Sequence, residues 1–383
     1  MSHPCSIAAA LPTPRRIVEH LDRTVVGQDR AKRTLAVAVA NHYVRLLDVL
    51  DRESAAPTVT DACLRQVTIE KSNVLLIGPS GSGKTHLARA LAECLDLPFV
   101  VADATTLTEA GYVGEDVESI LHKLLVAAGG DVAEAQKGIV YIDEVDKLGG
   151  GRALGTKDLR LGVQHALLKL IEGTVANVPP GGGYKMAGET CVPFDTSQVL
   201  FICGGAFVGL EDFVARRLGR RAFGFDQAGS TVDDEATNPL RHVLPEDVEG
   251  FGLIPELIGR LPVIATLDAL GVDDLVRILR GPQDALIGQY RKLLMYRKAR
   301  LDFTTGAIRA VAELAHQRGT GARGLRAIVE RVLEPVLYDP EPWVSYTITE
   351  ETVRGGPVEV FRFSDLCVDE SAPLRHRMIG RAR

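Results

Sequence analysis

One glycine-rich run constrains the fold of this chain more than any other segment: Gly78-Pro79-Ser80-Gly81-Ser82-Gly83-Lys84-Thr85. It matches GxxxxGK[ST] in full, and it lies between an apolar, strand-like run and a helical pattern. In such loops the backbone N–H groups curl around an anion, and the following helix adds the positive end of its dipole. We predict that all eight residues bind ATP, with Lys84 on the outer phosphates and the Thr85 hydroxyl on Mg²⁺. A glycine-rich turn without a ligand is the alternative.

Two adjacent carboxylates follow another strand-like run. The apolar stretch 139–142 is followed directly by Asp143 and Glu144. Ligands of open α/β sheets bind at the carboxyl ends of the strands, where this pair would lie. Phosphoryl transfer needs positioning and charge neutralisation, so we predict that Asp143 holds Mg²⁺, directly or through water, and that Glu144 polarises the attacking water. The alternative is a strand end that carries solvated acids.

The chain reads as two domains of different type. Apolar runs of strand length alternate with helical patterns between residues 70 and 265, which predicts an α/β fold with a buried, mostly parallel sheet. Beyond residue 266 the spacing is amphipathic and helical, which predicts a second, mainly helical domain. We predict a tail over 1–11, a large domain over 12–264, a small domain over 265–370 and a basic tail over 371–383. The predicted strands are 74–77, 99–101, 139–142, 199–202 and 262–265, and the predicted helices of the second domain are 273–279, 283–296, 306–317 and 325–337.

Composition excludes several classes of protein. The net charge of -6 gives no support for a nucleic-acid partner. The six cysteines form no CxxC pair, which argues against zinc and against a disulfide framework. No apolar stretch approaches the roughly 20 residues that a membrane span needs, and no basic region precedes the short alanine run near the N-terminus. We expect a cytoplasmic protein with reduced thiols, no zinc and no membrane partner.

Further motifs carry a resemblance to a known family. The segments are Val26-Gly27-Gln28, the run from Asp103 to Glu115, the run from Phe201 to Phe207, and Gly321 to Arg326. With the two motifs above, they resemble the ClpX family of AAA+ unfoldases, which feed the ClpP peptidase. The resemblance runs from Pro12 to Tyr338. It implies an AAA+ P-loop NTPase fold and an ATPase that works as a homohexamer on unfolded or tagged proteins, with a ClpP-type peptidase as its partner and no peptidase activity of its own.

The resemblance also implies roles for residues outside the two motifs. Val26, Gly27 and Gln28 match the stretch that packs near the adenine, although from the residues alone they would be a turn before a helix. Arg260 matches the arginine finger that reaches a neighbour's nucleotide, and Arg323 matches the sensor 2 arginine that reads the phosphates of its own subunit. As isolated residues both would be surface charges. Each active site would then lie between subunits and between domains, with a hinge near 262–267.

Two loops match the parts of the family that contact proteins. Tyr112 and Val113 lie between glycines and match the pore loop that grips the translocating chain, with a buried loop aromatic as the alternative. Phe223-Gly224-Phe225 matches the docking tripeptide, which in the family begins with Ile or Leu. Phe223 is bulkier than the Ile or Leu of the family, so two interpretations stay open. The tripeptide either docks on the peptidase or packs its two aromatic rings on the domain's own core.

Three departures from the family pattern leave rival functions open. Cys5 is the one cysteine before the motor, so we expect no counterpart of the family's N-terminal zinc-binding domain in this sequence. Where the family has a basic RKH loop, this chain has Gly183-Tyr184-Lys185-Met186. The region of the second pore loop, residues 157–162, lacks the family's usual acidic pattern. A protease-independent remodelling factor is therefore the alternative function. A nucleic-acid motor would need basic residues in place of the Tyr112 loop.

Overall fold

Nine strands lie in the first part of the chain, counting only residues that the structure describes. The computed structural model describes residues 13–52, 58–108, 115–116, 119–149, 157–179, 191–222, 238–282 and 284–362. The strands are β1 (Val74–Ile77), β2 (Phe99–Asp103), β3 (Leu107–Thr108), β4 (Glu115–Asp116), β5 (Ile139–Asp143), β6 (Val175–Val178), β7 (Val192–Asp195), β8 (Leu200–Gly205) and β9 (Val263–Thr266).

Five of these strands form one parallel sheet in the order β2-β5-β8-β1-β9. Val74 of β1 pairs with Ile202 of β8 on one side and with Val263 of β9 on the other. All five match apolar runs in the sequence, so the predicted α/β class with a parallel sheet is confirmed. Two small two-stranded sheets, β3 with β4 and β6 with β7, complete the strand pairing in this part of the described chain.

The helices of this part cover both faces of the sheet. Val74 and Leu76 pack in one core with the first three helices, whereas Leu75 and Ile77 pack in the other core with helices α4 and α7. Alternate residues of a strand point to opposite faces, so a strand buried on both sides is apolar throughout. The helices are α1 (Pro14–Thr24), α2 (Asp29–Arg52), α3 (Lys84–Leu95), α4 (Ser119–Ala127), α5 (Val132–Gln136), α6 (Asp146–Gly149), α7 (Lys157–Glu172), α8 (Leu210–Ala222), α9 (Pro245–Phe251) and α10 (Pro255–Gly259).

The chain divides into two compact units between Leu270 and Gly271. The helices of the second unit are α11 (Val272–Arg280), α12 (Leu286–Tyr296), α13 (Thr305–Gln317), α14 (Gly321–Tyr338) and α15 (Glu350–Val353). It also contains a three-stranded sheet, which the sequence prediction of a mainly helical domain missed. The strands are β10 (Arg300–Phe303), β11 (Val344–Ile348) and β12 (Glu359–Arg362), with β10 parallel and β12 antiparallel to β11.

Two segments differ from the sequence reading. Residues 263–266 are hydrogen-bonded to β1 within the sheet, so most of the predicted hinge segment 262–267 is a strand, and the division of the chain comes after it. Residues 157–162 begin helix α7 and do not form a loop. Throughout the described ranges, no helix combines the length and the apolar character that a transmembrane span requires.

Candidate nucleotide site

The phosphate loop joins the carboxyl end of β1 to helix α3. Gly81 and Gly83 have φ angles of 78° and 97°, in the left-handed region that side chains with a Cβ rarely adopt. Gly83 is the N-cap of α3 and has no side chain that could accept a hydrogen bond. The N–H groups in the first turn of the helix therefore point toward the loop without a side-chain acceptor. The local geometry therefore offers backbone donors and a helix dipole to an anion.

Two polar side chains of the loop, those of Ser82 and Lys84, are buried. Lys84 is only 8% exposed, and its Nζ donates hydrogen bonds to the carbonyl oxygens of Gly78, at 2.6 Å, and Pro79, at 3.1 Å. The Ser82 Oγ is buried and has no hydrogen-bond partner among the described residues. A buried hydroxyl without a partner and, two residues later, a buried ammonium fit an anionic ligand, because phosphate oxygens can bond to both kinds of group.

Close packing fixes where this loop begins. A Cβ on Gly78 would lie 2.8 Å from the Cβ of Leu267, which follows β9. Only glycine fits at this approach, so the loop lies directly against the chain at the end of the neighbouring strand.

The structure brings the two predicted motifs together at one edge of the sheet. The Thr85 Oγ1 donates a hydrogen bond of 3.0 Å to the Asp143 Oδ2, and the Glu144 N–H donates one of 3.0 Å to the Asp143 Oδ1. A hydroxyl and a carboxylate are oxygen ligands of the kind that Mg²⁺ prefers. These two residues therefore fit the magnesium site predicted from the sequence.

Tyr141 is a residue of this site that the sequence reading missed. Its hydroxyl donates a hydrogen bond of 3.2 Å to the Asp143 Oδ1, and its ring is fully buried. Burial raises the pKa of Tyr141, and the negative charge of Asp143 raises it further, so the hydroxyl keeps its proton as a donor. The sequence does contain a signal for this contact, because a tyrosine two positions before an aspartate lies on the same face of a strand.

Gly204 makes room for this tyrosine. A Cβ on Gly204 would lie 2.1 Å from the Tyr141 Oη, a distance that no packed pair of atoms tolerates. The glycine of β8 therefore lets the tyrosine cross the neighbouring strand and reach Asp143.

Glu144 has the backbone geometry expected of a functional residue. Its φ angle is 58°, which is uncommon for a residue other than glycine, and its side chain is exposed. The next residue is anchored, because the Val145 N–H donates a hydrogen bond of 3.0 Å to the Gly204 carbonyl. The turn directs Glu144 out of the sheet beside Asp143.

The predicted adenine stretch lies next to the phosphate loop. Gly27 and Gln28 have φ angles of 66° and 60°, and Val26 is half-buried. The Gln28 Nε2 donates to the Asp268 carbonyl at 2.8 Å and to the Ser82 carbonyl at 3.4 Å, and the Gln28 Oε1 accepts from the Asp268 N–H at 2.9 Å. Contact with adenine stays a prediction.

Arg260 lies away from the phosphate loop of its own chain. It follows α10 and precedes β9, so it lies at the amino end of the parallel sheet, whereas the loop leaves the carboxyl end of β1. Its guanidinium is about half exposed and forms an ion pair with Glu172, with 2.7 Å between Nη2 and Oε1. A buried side chain holds its backbone, because the Asn73 Nδ2 donates to the Arg260 carbonyl at 3.0 Å.

The remaining predicted residues are placed as follows. Arg323 is an exposed residue in the first turn of α14, within the second unit. Tyr112, Val113, the tripeptide Phe223-Gly224-Phe225 and the segment 183–186 all lie outside the described residues.

Comparison with known proteins places this geometry in a family. The family model described as AAA domain (Cdc48 subfamily) matches residues 69–264, and the model of the C-terminal, D2-small domain of ClpB protein matches residues 270–340. The ATP-dependent Clp protease ATP-binding subunit ClpX of Borrelia duttonii is 48% identical over 332 residues, which cover 86% of this chain and 75% of the relative. The chain belongs to the ClpX family.

Other ClpX relatives agree. The protein of the same name from Borrelia recurrentis also shows 48% identity over 332 residues, with the same coverage of 86% and 75%. That of Treponema denticola is 47% identical over 340 residues, which cover 88% of this chain and 79% of the relative. The resemblance and the AAA+ fold predicted from the sequence are confirmed, and this ClpX-family chain is an ATP-binding ATPase.

Proposed function

We propose that this ClpX-family chain is the ATP-driven unfoldase subunit of a Clp-type protease. It acts as a homohexameric ring in the cytoplasm, unfolds tagged or unstable proteins and threads them into a ClpP-type peptidase. The relatives are named as ATP-binding subunits of the Clp protease, which supports the link to a protease. The observation that carries the proposal is the hydrogen bond of 3.0 Å between Thr85 and Asp143, because it joins the phosphate loop and the acidic pair in one site.

The residues of the loop bind and orient the nucleotide. The N–H groups at the start of α3 and the Lys84 ammonium neutralise the phosphates, and the Ser82 hydroxyl gains a partner. Thr85 and Asp143 are the proposed ligands of Mg²⁺, which when bound withdraws charge from the phosphate oxygens. Tyr141 fixes the orientation of Asp143 through its hydrogen bond of 3.2 Å.

Glu144 orients the attacking water and polarises it, and its left-handed backbone directs the carboxylate toward the reacting phosphate. Arg260 acts on the nucleotide of a neighbouring subunit, which agrees with its position at the far end of the sheet. Arg323 reads the phosphates of its own subunit. Val26, Gly27 and Gln28 border the base.

The parts that handle protein are assigned from the family resemblance. Tyr112 and Val113 grip the substrate, and Phe223-Gly224-Phe225 dock on the peptidase. Peptide-bond hydrolysis is left to that partner.

The proposal predicts that Glu144→Gln binds ATP but hydrolyses it at least about 100-fold more slowly, because the polarising carboxylate is lost. The assay mixes the chain, ATP and the cognate ClpP-type peptidase with a tagged, folded fluorescent protein. Glu93→Gln is the matched control, since Glu93 is an exposed residue of α3. Tyr112→Ala is expected to keep ATP hydrolysis and lose degradation.

Two outcomes would count against the proposal in different ways. If Glu144→Gln hydrolyses ATP at the rate of Glu93→Gln, the assigned site is wrong. If the unchanged chain hydrolyses ATP but does not support degradation, the chain is a protease-independent remodelling factor. Phe223, in place of the Ile or Leu of the family, is the residue that would favour that second function.

A further inference from the structure

The side-chain amide of Gln28 is hydrogen-bonded to backbone groups through both its oxygen and its nitrogen. Its Oε1 accepts from the Asp268 N–H at 2.9 Å, and its Nε2 donates to the carbonyl oxygens of Asp268, at 2.8 Å, and Ser82, at 3.4 Å. The two hydrogens of a primary amide are thus both assigned. Both donors are held by the chain itself, which indicates that this side chain positions backbone groups in addition to its predicted place near the base.

The main chain of Gln28 is a firm anchor for this amide. Gly27 and Gln28 are successive left-handed residues, with φ angles of 66° and 60°. The Lys32 N–H donates to the Gln28 carbonyl at 2.9 Å and ties the residue to the first turn of α2. Since the backbone is fixed, a displacement of Ser82 acts on the side chain of Gln28 and not on its main chain.

Asp268, at the other end of the contact, is held on every polar atom of its side chain as well. Asn238 donates to its Oδ1 at 2.7 Å, and Arg241 donates to its Oδ2 at 2.9 Å. Asp268 precedes the division of the chain between Leu270 and Gly271 by only a few residues. Hydrogen bonds therefore hold both the carboxylate and the peptide of Asp268 close to the end of the first unit.

We infer that Gln28 is a positioning residue that couples the phosphate loop to the connecting segment 267–270. The inference rests on the proposed function, because it assigns a mechanical role within the same nucleotide cycle. The bond to Ser82 is the longer of the two donated bonds, so it is the one that shortens or breaks when the loop closes on phosphates. Gln28 passes that change to the peptide of Asp268.

The test uses the full chain and three variants. Gln28→Asn keeps the amide and tolerates the left-handed backbone, but it is one carbon shorter and cannot reach both partners. Gln28→Glu keeps an acceptor for the Asp268 N–H and loses the donor. Gln66→Asn is the matched control, because Gln66 is exposed in the turn Leu64–Gln66.

The first measurement is amide hydrogen exchange over 267–270, with and without magnesium and adenylyl imidodiphosphate. In the unchanged chain and in Gln66→Asn, we expect the analogue to change the protection of Asp268. In Gln28→Asn the amide is expected to exchange about tenfold faster and to stop responding to the analogue. Gln28→Glu is expected to keep basal protection but to lose the response.

The second measurement is the number of ATP molecules hydrolysed per fluorescent protein degraded. We expect this number to rise by about threefold or more in Gln28→Asn, with a smaller change in the KM for ATP. The variant would hydrolyse ATP without passing the movement of the phosphate loop to the segment 267–270. A KM effect alone, with unchanged exchange at 267–270, would overturn the inference and make Gln28 an ordinary nucleotide contact. The exchange experiment needs no peptidase, so it decides this inference even if the proposed function fails.

Discussion

Asn73 offers a sharp test of how the sheet positions Arg260. It is 2% exposed, and it lies directly before β1. Its Oδ1 accepts from the Phe201 N–H at 3.2 Å, and its Nδ2 donates to the Arg260 carbonyl at 3.0 Å. Asn73→Ala leaves a buried N–H without an acceptor, at a cost of about 1–3 kcal/mol, and a carbonyl short of a donor, for about 1 kcal/mol more.

We therefore expect Asn73→Ala to lower the free energy of unfolding by about 3 kcal/mol. The assay is urea unfolding followed by circular dichroism, with Asn41→Ala as the control on the exposed face of α2. Asn73→Asp keeps the acceptor for Phe201 but places a carboxylate against the Arg260 carbonyl, so it should lose part of the stability and most of the ATPase activity of the assembled ring. An Asn73→Ala variant within about 0.5 kcal/mol of Asn41→Ala would refute the reasoning.

Two further predictions test packing and charge. Gly204→Ala should lower the free energy of unfolding by about 1–3 kcal/mol and should lower ATP turnover, because the new Cβ displaces the Tyr141 hydroxyl. The control is Gly219→Ala, at an exposed helical position, which should be neutral or stabilising in the same urea titration. Burial raises the pKa of Asp247, but hydrogen bonds from Arg217 and the Leu244 N–H outweigh it, so the net pKa lies below the ordinary value. This carboxylate therefore stabilises the fold above the unfolded pKa of about 3.9, and the contribution is lost as the pH falls through the lower folded pKa. Arg217→Met should cost about 2 kcal/mol at pH 7 and progressively less below pH 4, and a pH-independent difference would contradict this.

The sequence predicts the sheet well because its strands are buried on both faces. Such strands are continuous apolar runs, and the run 139–142 needs no knowledge of its partners to be recognised. The phosphate loop is predictable for a related reason, since its chemistry is local and its spacing is fixed.

The three-stranded sheet of the second unit was missed for a physical reason. Its strands are short: β10 and β11 alternate between buried and more exposed residues over only four or five positions, and β12 is exposed throughout. The long segments around these strands show helical periodicity, so the pattern as a whole predicts a mainly helical domain.

Contacts between distant parts of the chain could not be predicted either. Gln28 and Asp268 are 240 positions apart, and nothing in either segment specifies the other. The same holds for Asn73 and Arg260, which are 187 positions apart. Polar side chains that bind backbone groups carry no pattern in the sequence, because every residue offers the same partner atoms.

In the proposed ring, strand β1 links two places that would serve different nucleotides. Its four residues, Val74–Ile77, are buried and paired on both sides, so the strand can neither stretch nor bend appreciably. Asn73 at one end holds the backbone of Arg260, and the phosphate loop begins at Gly78 at the other end, about 16 Å from Asn73 at the usual rise per residue. In that ring, an axial shift of the loop would reach Asn73 through this one strand. Under the proposed function, communication between adjacent subunits would need no long chain of intermediate residues, because one short strand spans the distance.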